Sequence, residues 1–249
     1  YFNPTGGWVE SGAVVEQIAK LCKDSGVQFY SGHMDQLYSE GSHVSGVLTT
    51  DGNVIPGNIV VVAAGAWTPT LLPWLTDLLS PTGQPVLHFL PENPDLFRAD
   101  RFPPWNSDIA SSGWYGFPAL SDGRVKVAHH GRGVSVHPDS RGKVDVNHEI
   151  RAREFLGKAI PALSQAPIVY RRICMYCDAF DGNFLIGHDP NREGLVVASG
   201  GSGHGFKFAP LLGEVIADAV EHHPNKWGAR FSWREAGTLM TEEARYTGQ

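Results

Sequence analysis

One stretch constrains the fold more than any other. Leu195-Val196-Val197-Ala198 is an unbroken apolar run that opens directly into Ser199-Gly200-Gly201-Ser202-Gly203-His204-Gly205. A short apolar run bounded by turn residues reads as a strand covered on both faces. A helical pattern follows from Pro210, with Leu212, Val215, Ile216, Ala219 and Val220 on one face. Strand, glycine-rich loop and helix form one α/β step. Glycines let backbone approach a ligand, and free N–H groups at a helix start favour negative charge. The loop is not a dinucleotide fingerprint: Gly201-Ser202-Gly203-His204-Gly205-Phe206 lacks the third glycine. No acidic residue ends a following strand at the expected distance. Two readings stand side by side, a cradle for a phosphate or polar heterocycle and a tight turn that seats a helix on a sheet.

A second apolar run, Ile59 to Ala64, is expected to be a strand buried on both faces in a parallel sheet, and it ends in Gly65-Ala66-Trp67-Thr68. Ahead of it, Ser11 is expected to cap a helix carrying Val14, Val15, Ile18, Leu21 and Cys22, which Gly26 ends. Val27 to Tyr30 reads as a short strand. Val44 to Thr49 and Val54-Ile55 read as a hairpin around Thr50-Asp51-Gly52-Asn53. From about Leu79 to Arg172 the chain turns rich in Pro, Trp and other aromatics. Val86 to Phe89, Trp114 to Pro118 and Val125 to Ala128 predict an antiparallel sheet, and Asn147 a helix that Pro161 stops. Phe184 to Gly187 is strand-like, and the polar tail from Asn225 is expected to lie outside the core.

The predicted fold class is therefore α/β, an incomplete Rossmann-like layer system interrupted by an antiparallel sheet domain with helices. Residues 1–78 and 173–224 form the first part, 79–172 the second, and 225–249 a C-terminal tail.

Composition removes several function classes. No stretch nears the ~20 apolar residues of a membrane span, and 42% apolar content is too high for a disordered chain. Net charge is −6 and no basic run occurs, which argues against nucleic acid or an anionic membrane as main partner. Glycine, 29 of 249 residues, stands at about 12% against a usual ~7%. Three cysteines are too few for a disulfide scaffold and fit a reducing compartment. The chain starts Tyr1-Phe2-Asn3-Pro4 with no initiator Met and no signal-peptide pattern, so it is expected to begin inside a larger protein.

Two further groupings could carry chemistry. Cys174 and Cys177 form a C-x-x-C: a redox pair, half a zinc site or two ordinary half-buried thiols. Two thiols without histidines at finger spacing make zinc the weakest of these, and no metal is expected. Tyr115-Gly116-Phe117-Pro118 and Lys126 to His130 are joined through Asp122-Gly123 as hairpin strands. Lys126 and His130 are an even number apart and face one side of a strand, so Tyr115, Lys126 and His130 could converge. The alternative is a solvated lysine and a surface histidine. His33, His43, His137, His148, His222 and His223 sit in polar stretches and are expected to be exposed.

At these residues the chain resembles the C-terminal two-thirds of a flavin-dependent amine oxidase of the D-amino-acid-oxidase-like superfamily. It is most similar to the group of monomeric sarcosine, pipecolate and fructosyl-amino-acid oxidases. Five pieces carry the resemblance in order: Gly6-Gly7-Trp8-Val9, Val61-Val62-Ala63-Ala64-Gly65-Ala66-Trp67, Tyr115 to Pro118 with Lys126 and His130, Arg172-Ile173-Cys174-Met175-Tyr176, and Ser202-Gly203-His204-Gly205-Phe206-Lys207. They span Gly6 to about Val220.

The resemblance implies an oxidase of secondary amino acids such as sarcosine or L-pipecolate that reduces O2 to hydrogen peroxide, with fructosyl amino acids as the alternative substrates. It implies FAD, bonded covalently through Cys174. Lys126 would assist oxygen reduction, as a cation that stabilises superoxide in a site poor in water. Lys207 would hold the substrate carboxylate as a point charge. Tyr115, His130 and Tyr176 would line the substrate pocket. Ala64, Gly65, Gly201, Gly203, His204, Gly205, Phe206 and Lys207 would contact the cofactor. The family binds the FAD pyrophosphate through an N-terminal G-x-G-x-x-G strand-loop, and nothing in this chain supplies it. The chain alone is therefore expected not to bind FAD tightly, and a preceding segment or a separate N-terminal chain is the expected partner; a non-catalytic fragment or subunit is the other outcome. The last residues, Tyr246-Thr247-Gly248-Gln249, are not a peroxisomal tripeptide, and the resemblance leaves cytoplasm and peroxisome both open.

Overall fold

The computed structural model describes residues 1–238, 240 and 245–248. In chain order the elements are α1 (Ser11–Asp24), β1 (Met34–Glu40), β2 (His43–Thr49), β3 (Val54–Pro56), β4 (Val60–Val62), α2 (Thr68–Leu71), β5 (Leu79–Phe89), β6 (Trp105–Asn106), α3 (Ile109–Ser112), β7 (Trp114–Ala119), β8 (Val125–His129), β9 (Val134–Ser135), α4 (Val146–Ala159), α5 (Pro161–Ser164), β10 (Ile168–Ala179), β11 (Leu185–His188), β12 (Leu195–Ser199), α6 (Ala209–Val220) and α7 (Gly228–Phe231). The chain divides into two compact units. A middle unit takes Tyr1–Val9, Thr82–Met175 and Glu242–Gln249; an outer unit takes Glu10–Pro81 and Tyr176–Thr241.

In the outer unit, β12 pairs in parallel with β4 and antiparallel with β11, and β1-β2-β3 form a separate antiparallel sheet. Leu195, Val196 and Val197 are fully buried, as the apolar run requires. Leu195 and Val197 pack with Val44, Val62, Leu72, Leu75, Leu185 and Cys177, while Ala198 packs on the α6 side with Val215, Phe184 and Ile186. Each such side chain withdrawn from water stabilises the fold by roughly 1.5–3 kcal/mol before entropy is counted. The hairpin at Asp51-Gly52 forms as predicted, with Val47 opposite Ile55.

Four expectations fail here, for related reasons. β4 is only Val60–Val62, and Val61 is 40% exposed, not buried on both faces. It ends its sheet, so among the described residues no strand covers its far side. Val27 to Tyr30 is not a strand: it joins no ladder among the described residues, and Val27, Phe29 and Tyr30 are exposed. Backbone cannot hold strand pairing without a neighbouring strand. Helix α1 forms, but Ser11 is its first residue and not its cap; Glu10 stands at the cap without a side-chain bond. The α1 face of Val15, Ile18 and Leu21 is exposed. Finally, the tail is not all outside the core. Phe231 and Trp233 pack against buried clusters, and Arg234 clamps Asp181 through Nε and Nη2, both at 2.7 Å.

In the middle unit a six-stranded sheet runs β10-β5-β8-β7-β6, with β9 on β5. The predicted hairpin is present: Tyr115 lies opposite Ala128 and Gly116 opposite Val127. Alternation sorts its side chains. Trp114, Val125, Val127, Leu87 and Phe89 point to one face and pack on Ala152 and Leu156 of α4. Asp145, not Asn147, caps α4, accepting the Asn147 N–H at 3.0 Å. His148 is buried, contrary to its polar neighbourhood, because the first turn of α4 lays it against the Trp114 ring at 5.3 Å. Among the described residues no helix is long and apolar enough to cross a membrane.

Candidate active site

The other face of the middle-unit sheet gathers the polar groups. With Val125 and Val127 turned to the core, Lys126 is turned away from it. Its ammonium lies 4.8 Å from the Phe117 ring centroid and 5.9 Å from that of Tyr115. His88 of β5 is the Cα partner of Lys126. The His88 ring meets Tyr170 of β10 edge-on at 5.1 Å, and Arg124 lies 6.0 Å from the Tyr170 ring. Two residues along β10, the Arg172 Nη2 donates to Cys174 Sγ at 3.2 Å. Burial pushes the Lys126 ammonium below its ordinary value; the Cys174 sulfur opposes that shift and Arg172 adds to it. Burial, then Arg124, Lys126 and Arg172, push His88 down to about 4. One sheet face thus holds a desolvated lysine, a half-buried thiol, two arginines and a neutral imidazole.

His130, expected beside Lys126 on a strand, lies just past the end of β8 and is buried, its backbone N–H donating to the Gly113 carbonyl at 2.7 Å. Tyr115 sits on the Lys126 face. His88, Tyr170 and Arg124 were not singled out from sequence. The available signal was period 2: His88 is the polar exception in Val86-Leu87-His88-Phe89, aligned with Lys126.

In the outer unit the loop after β12 is built by left-handed backbone at Gly200, Ser202 and Gly203. The Ser202 N–H donates to the Cys177 carbonyl at 2.9 Å, and its Oγ accepts from the Ala179 N–H at 3.0 Å. At Gly203, φ is +78° and a Cβ would stand 2.3 Å from the Tyr176 ring. Only glycine fits there. His204 packs at 5.6 Å from Phe184, Gly205 to Phe208 form a 3₁₀ turn, and α6 starts at Ala209. Phe206 and Lys207 are exposed, the lysine ammonium 5.3 Å from the Phe208 ring. Ala64 and Gly65 follow β4; Gly65 has φ +54° and open space where a Cβ would project. Cys177 is buried with its Sγ 3.3 Å from Ser199 Oγ, which also donates to Thr68 Oγ1 at 3.1 Å. Burial raises its thiol pKa, and the Ser199 hydroxyl works against that shift. Cys174 and Cys177 are both free, and at an odd separation they face opposite sides of β10. Among the described residues no cluster of three or more His, Cys, Asp or Glu could hold a metal.

Taken unit by unit, the residues present fit a planar aromatic cofactor. Within the middle unit Cys174 offers a half-buried free thiol and Lys126 a cation flanked by aromatic rings; within the outer unit Gly65 has open space where a Cβ would project. Such groups, on a chain that mixes helices with parallel and antiparallel strands, are compatible with a flavoprotein oxidoreductase.

The comparisons agree. The chain belongs to the FAD dependent oxidoreductase (DAO) family, whose model matches residues 1–219. It is 26% identical over 222 residues to the N-methyl-L-tryptophan oxidase of Salmonella typhi, covering 87% of this chain and 58% of that one. It is equally similar, at 26%, to the monomeric sarcosine oxidase of a Bacillus species, covering 87% of this chain and 57% of that protein. Amadoriase I of Aspergillus fumigatus, a fructosyl amine:oxygen oxidoreductase, superposes with a TM-score of 0.81 at 28% identity, over 92% of this chain and 55% of the other. Amadoriase II of the same organism gives 0.86 at 25% identity, over 97% and 62%. The chain thus spans somewhat over half the length of the proteins it matches. The expected fold class is borne out.

Proposed function

We propose that this chain carries the substrate sheet and part of the flavin site of an oxidase of N-substituted amino acids, with sarcosine or L-pipecolate as the type of substrate and O2 as electron acceptor. The observation that carries the reading is Lys126, desolvated and flanked by Tyr115 and Phe117, on the same sheet face as Cys174. FAD, when bound, supplies the acceptor for a hydride equivalent from the carbon next to nitrogen. Cys174 is the proposed covalent tether. The Lys126 ammonium stabilises negative charge developing on dioxygen, an effect strong where water is excluded. Lys207 holds the substrate carboxylate, His130 orients the amine, and Tyr115 and Tyr176 shape the pocket. Ala64, Gly65 and the Gly201 to Phe206 segment offer backbone to the cofactor.

We further propose that the pyrophosphate grip comes from additional polypeptide, in the same chain or a separate one. The support is the open edge of β4, the exposed α1 face and the greater length of the relatives. Fructosyl amino acids are the second reading, supported by the Arg172-Ile173-Cys174 and Cys177-Asp178 residues and by the similarity to the amadoriases.

Peroxide release by the full-length enzyme from sarcosine, L-pipecolate and fructosyl-glycine separates the two readings. Acid precipitation is the companion test: a yellow pellet supports the tether at Cys174. A white pellet with yellow supernatant removes it, and a colourless protein favours a non-catalytic subunit.

A further inference from the structure

The Cys174 sulfur is not surrounded at random. On β10 the alternation that buries Ile173 turns Arg172 and Cys174 to the same side, two residues apart. The Arg172 Nη2 donates to Sγ at 3.2 Å, within reach of a sulfur acceptor. Lys126 is close enough for its charge to feel the same sulfur. Arg124, the other arginine of this face, is already engaged by Asp122, with Nη2 to Oδ2 at 2.6 Å. Among the described residues, no carboxylate is paired with Arg172. The guanidinium also hydrogen-bonds the Tyr170 side chain, so it is held between that ring and the sulfur and donates a charged hydrogen bond to a thiol where carboxylates are the usual partners.

Resting on the reading of Cys174 as the flavin tether, we propose that Arg172 is the positioning residue for that sulfur, holding its lone pair toward the ring methyl during covalent attachment. The bond formed joins Cys174 Sγ to the methyl carbon. The bonds broken are the thiol S–H and one methyl C–H. The electron pair and two protons pass to dioxygen, leaving hydrogen peroxide, so the step consumes the same oxidant as the proposed reaction. Arg172 does not touch the reacting carbon; it acts through the sulfur. A guanidinium does this better than an ammonium, because its planar fork is preorganised and fixes direction as well as charge.

Two measurements test it, and neither is turnover. In the full-length flavin-loaded enzyme, the rate at which flavin becomes acid-precipitable should fall at least about tenfold in Arg172→Gln and be partly restored in Arg172→Lys, as expected for a lost charge-assisted hydrogen bond of about 1.5–3 kcal/mol. In the 249-residue chain itself, alkylation of Cys174 by anionic iodoacetate relative to neutral iodoacetamide should drop about fivefold in Arg172→Gln, the loss of roughly 1 kcal/mol of charge attraction near a wet surface. Circular dichroism of each variant checks folding, and the lysine variant keeps the test alive if the glutamine variant unfolds. A glutamine variant that tethers flavin as fast as the parent, or keeps the parent alkylation ratio, overturns the proposal while leaving the tether intact. A parent enzyme whose flavin is all released by acid, like that of Cys174→Ala, overturns the tether and with it the role of Arg172.

Discussion

Lys126 and His88 are direct partners across antiparallel β5 and β8, two basic side chains opposite one another on one sheet face. Both charged, they would repel, since like charges directly opposed destabilise a sheet. The fold avoids this by keeping His88 neutral: burial, with the charges of Arg124, Lys126 and Arg172, brings it to about 4, and its Nδ1 is buried without a hydrogen-bond partner among the described residues. His148, buried against Trp114 and near His129 and Arg151, is likewise brought to about 4. A histidine with a folded-state pKa below its unfolded value near 6.5 contributes stability that is complete above that value. The contribution is lost as pH falls toward the folded value. Urea unfolding at a series of pH values should therefore show stability declining between about 6.5 and about 4. The decline should be shallower in His88→Gln and in His148→Gln. An unchanged slope in both variants would remove this account of the face.

Lys126→Met keeps an unbranched apolar stem one atom shorter than the lysine but deletes its charge. If the ammonium acts on dioxygen, reoxidation of reduced flavin should slow by about a hundredfold or more, the usual loss for one preorganised electrostatic donor. Reduction by substrate should change far less. Stopped-flow measurement of the two half-reactions decides: equal losses in both would mean that Lys126 serves packing or substrate binding instead.

What could be read from sequence follows how local the cause is. The hairpin at Asp122-Gly123, the turn at Asp51-Gly52 and the strand-loop-helix from Leu195 are set by neighbours within a few residues, and all three formed. Lys126 could be placed on a strand face by counting, because Val125 and Val127 are apolar. His88, Tyr170 and Arg124 could not be joined to it in the same way. Their meeting depends on β10 and β5 pairing across about eighty residues, and no local pattern encodes that order. Val27 to Tyr30 failed for the opposite reason. Its apolar and aromatic content suits a strand, but pairing is a property of two segments. His148 shows that a polar neighbourhood says little about one side chain, since α4 turns that single position inward.

Gly203→Ala probes the loop. The new methyl would meet the Tyr176 ring at 2.3 Å and demand φ of +78° from an L-residue. Left-handed strain and overpacking each cost about 1–3 kcal/mol. The thermal midpoint should fall by several degrees. The double variant with Tyr176→Ala should recover the clash but not the backbone cost, so Gly203→Ala should do less harm on that background than alone. Equal loss on both backgrounds would show that the tyrosine does not set this glycine.

Arg234→Ala tests whether the tail belongs to the fold. The guanidinium makes paired 2.7 Å bonds to the two Asp181 oxygens and further bonds at 3.1 Å to the carbonyls of Asn183 and Phe184, with 21% of the side chain exposed. Removing it leaves the Asp181 carboxylate, only 14% exposed, without its cation, next to the strand that packs under α6. Burial alone would raise the Asp181 pKa; the arginine, with Asn183, holds it below the ordinary value, so the pair's contribution is complete above the unfolded aspartate value and fades as pH falls below it, and the stability gap between parent and variant should narrow on acidification. Charge-assisted hydrogen bonds contribute about 1.5–3 kcal/mol each when net effects are measured, and partial solvent access keeps the expected loss near the lower end, about 2 kcal/mol. Urea unfolding at neutral pH gives that figure directly. Limited proteolysis adds a positional readout: cleavage near Trp227 to Trp233 should become faster in the variant if the Arg234 clamp, and not only the packing of Phe231 and Trp233, holds the segment on the core. A variant as stable and as protease-resistant as the parent would mean that the apolar contacts alone anchor the segment.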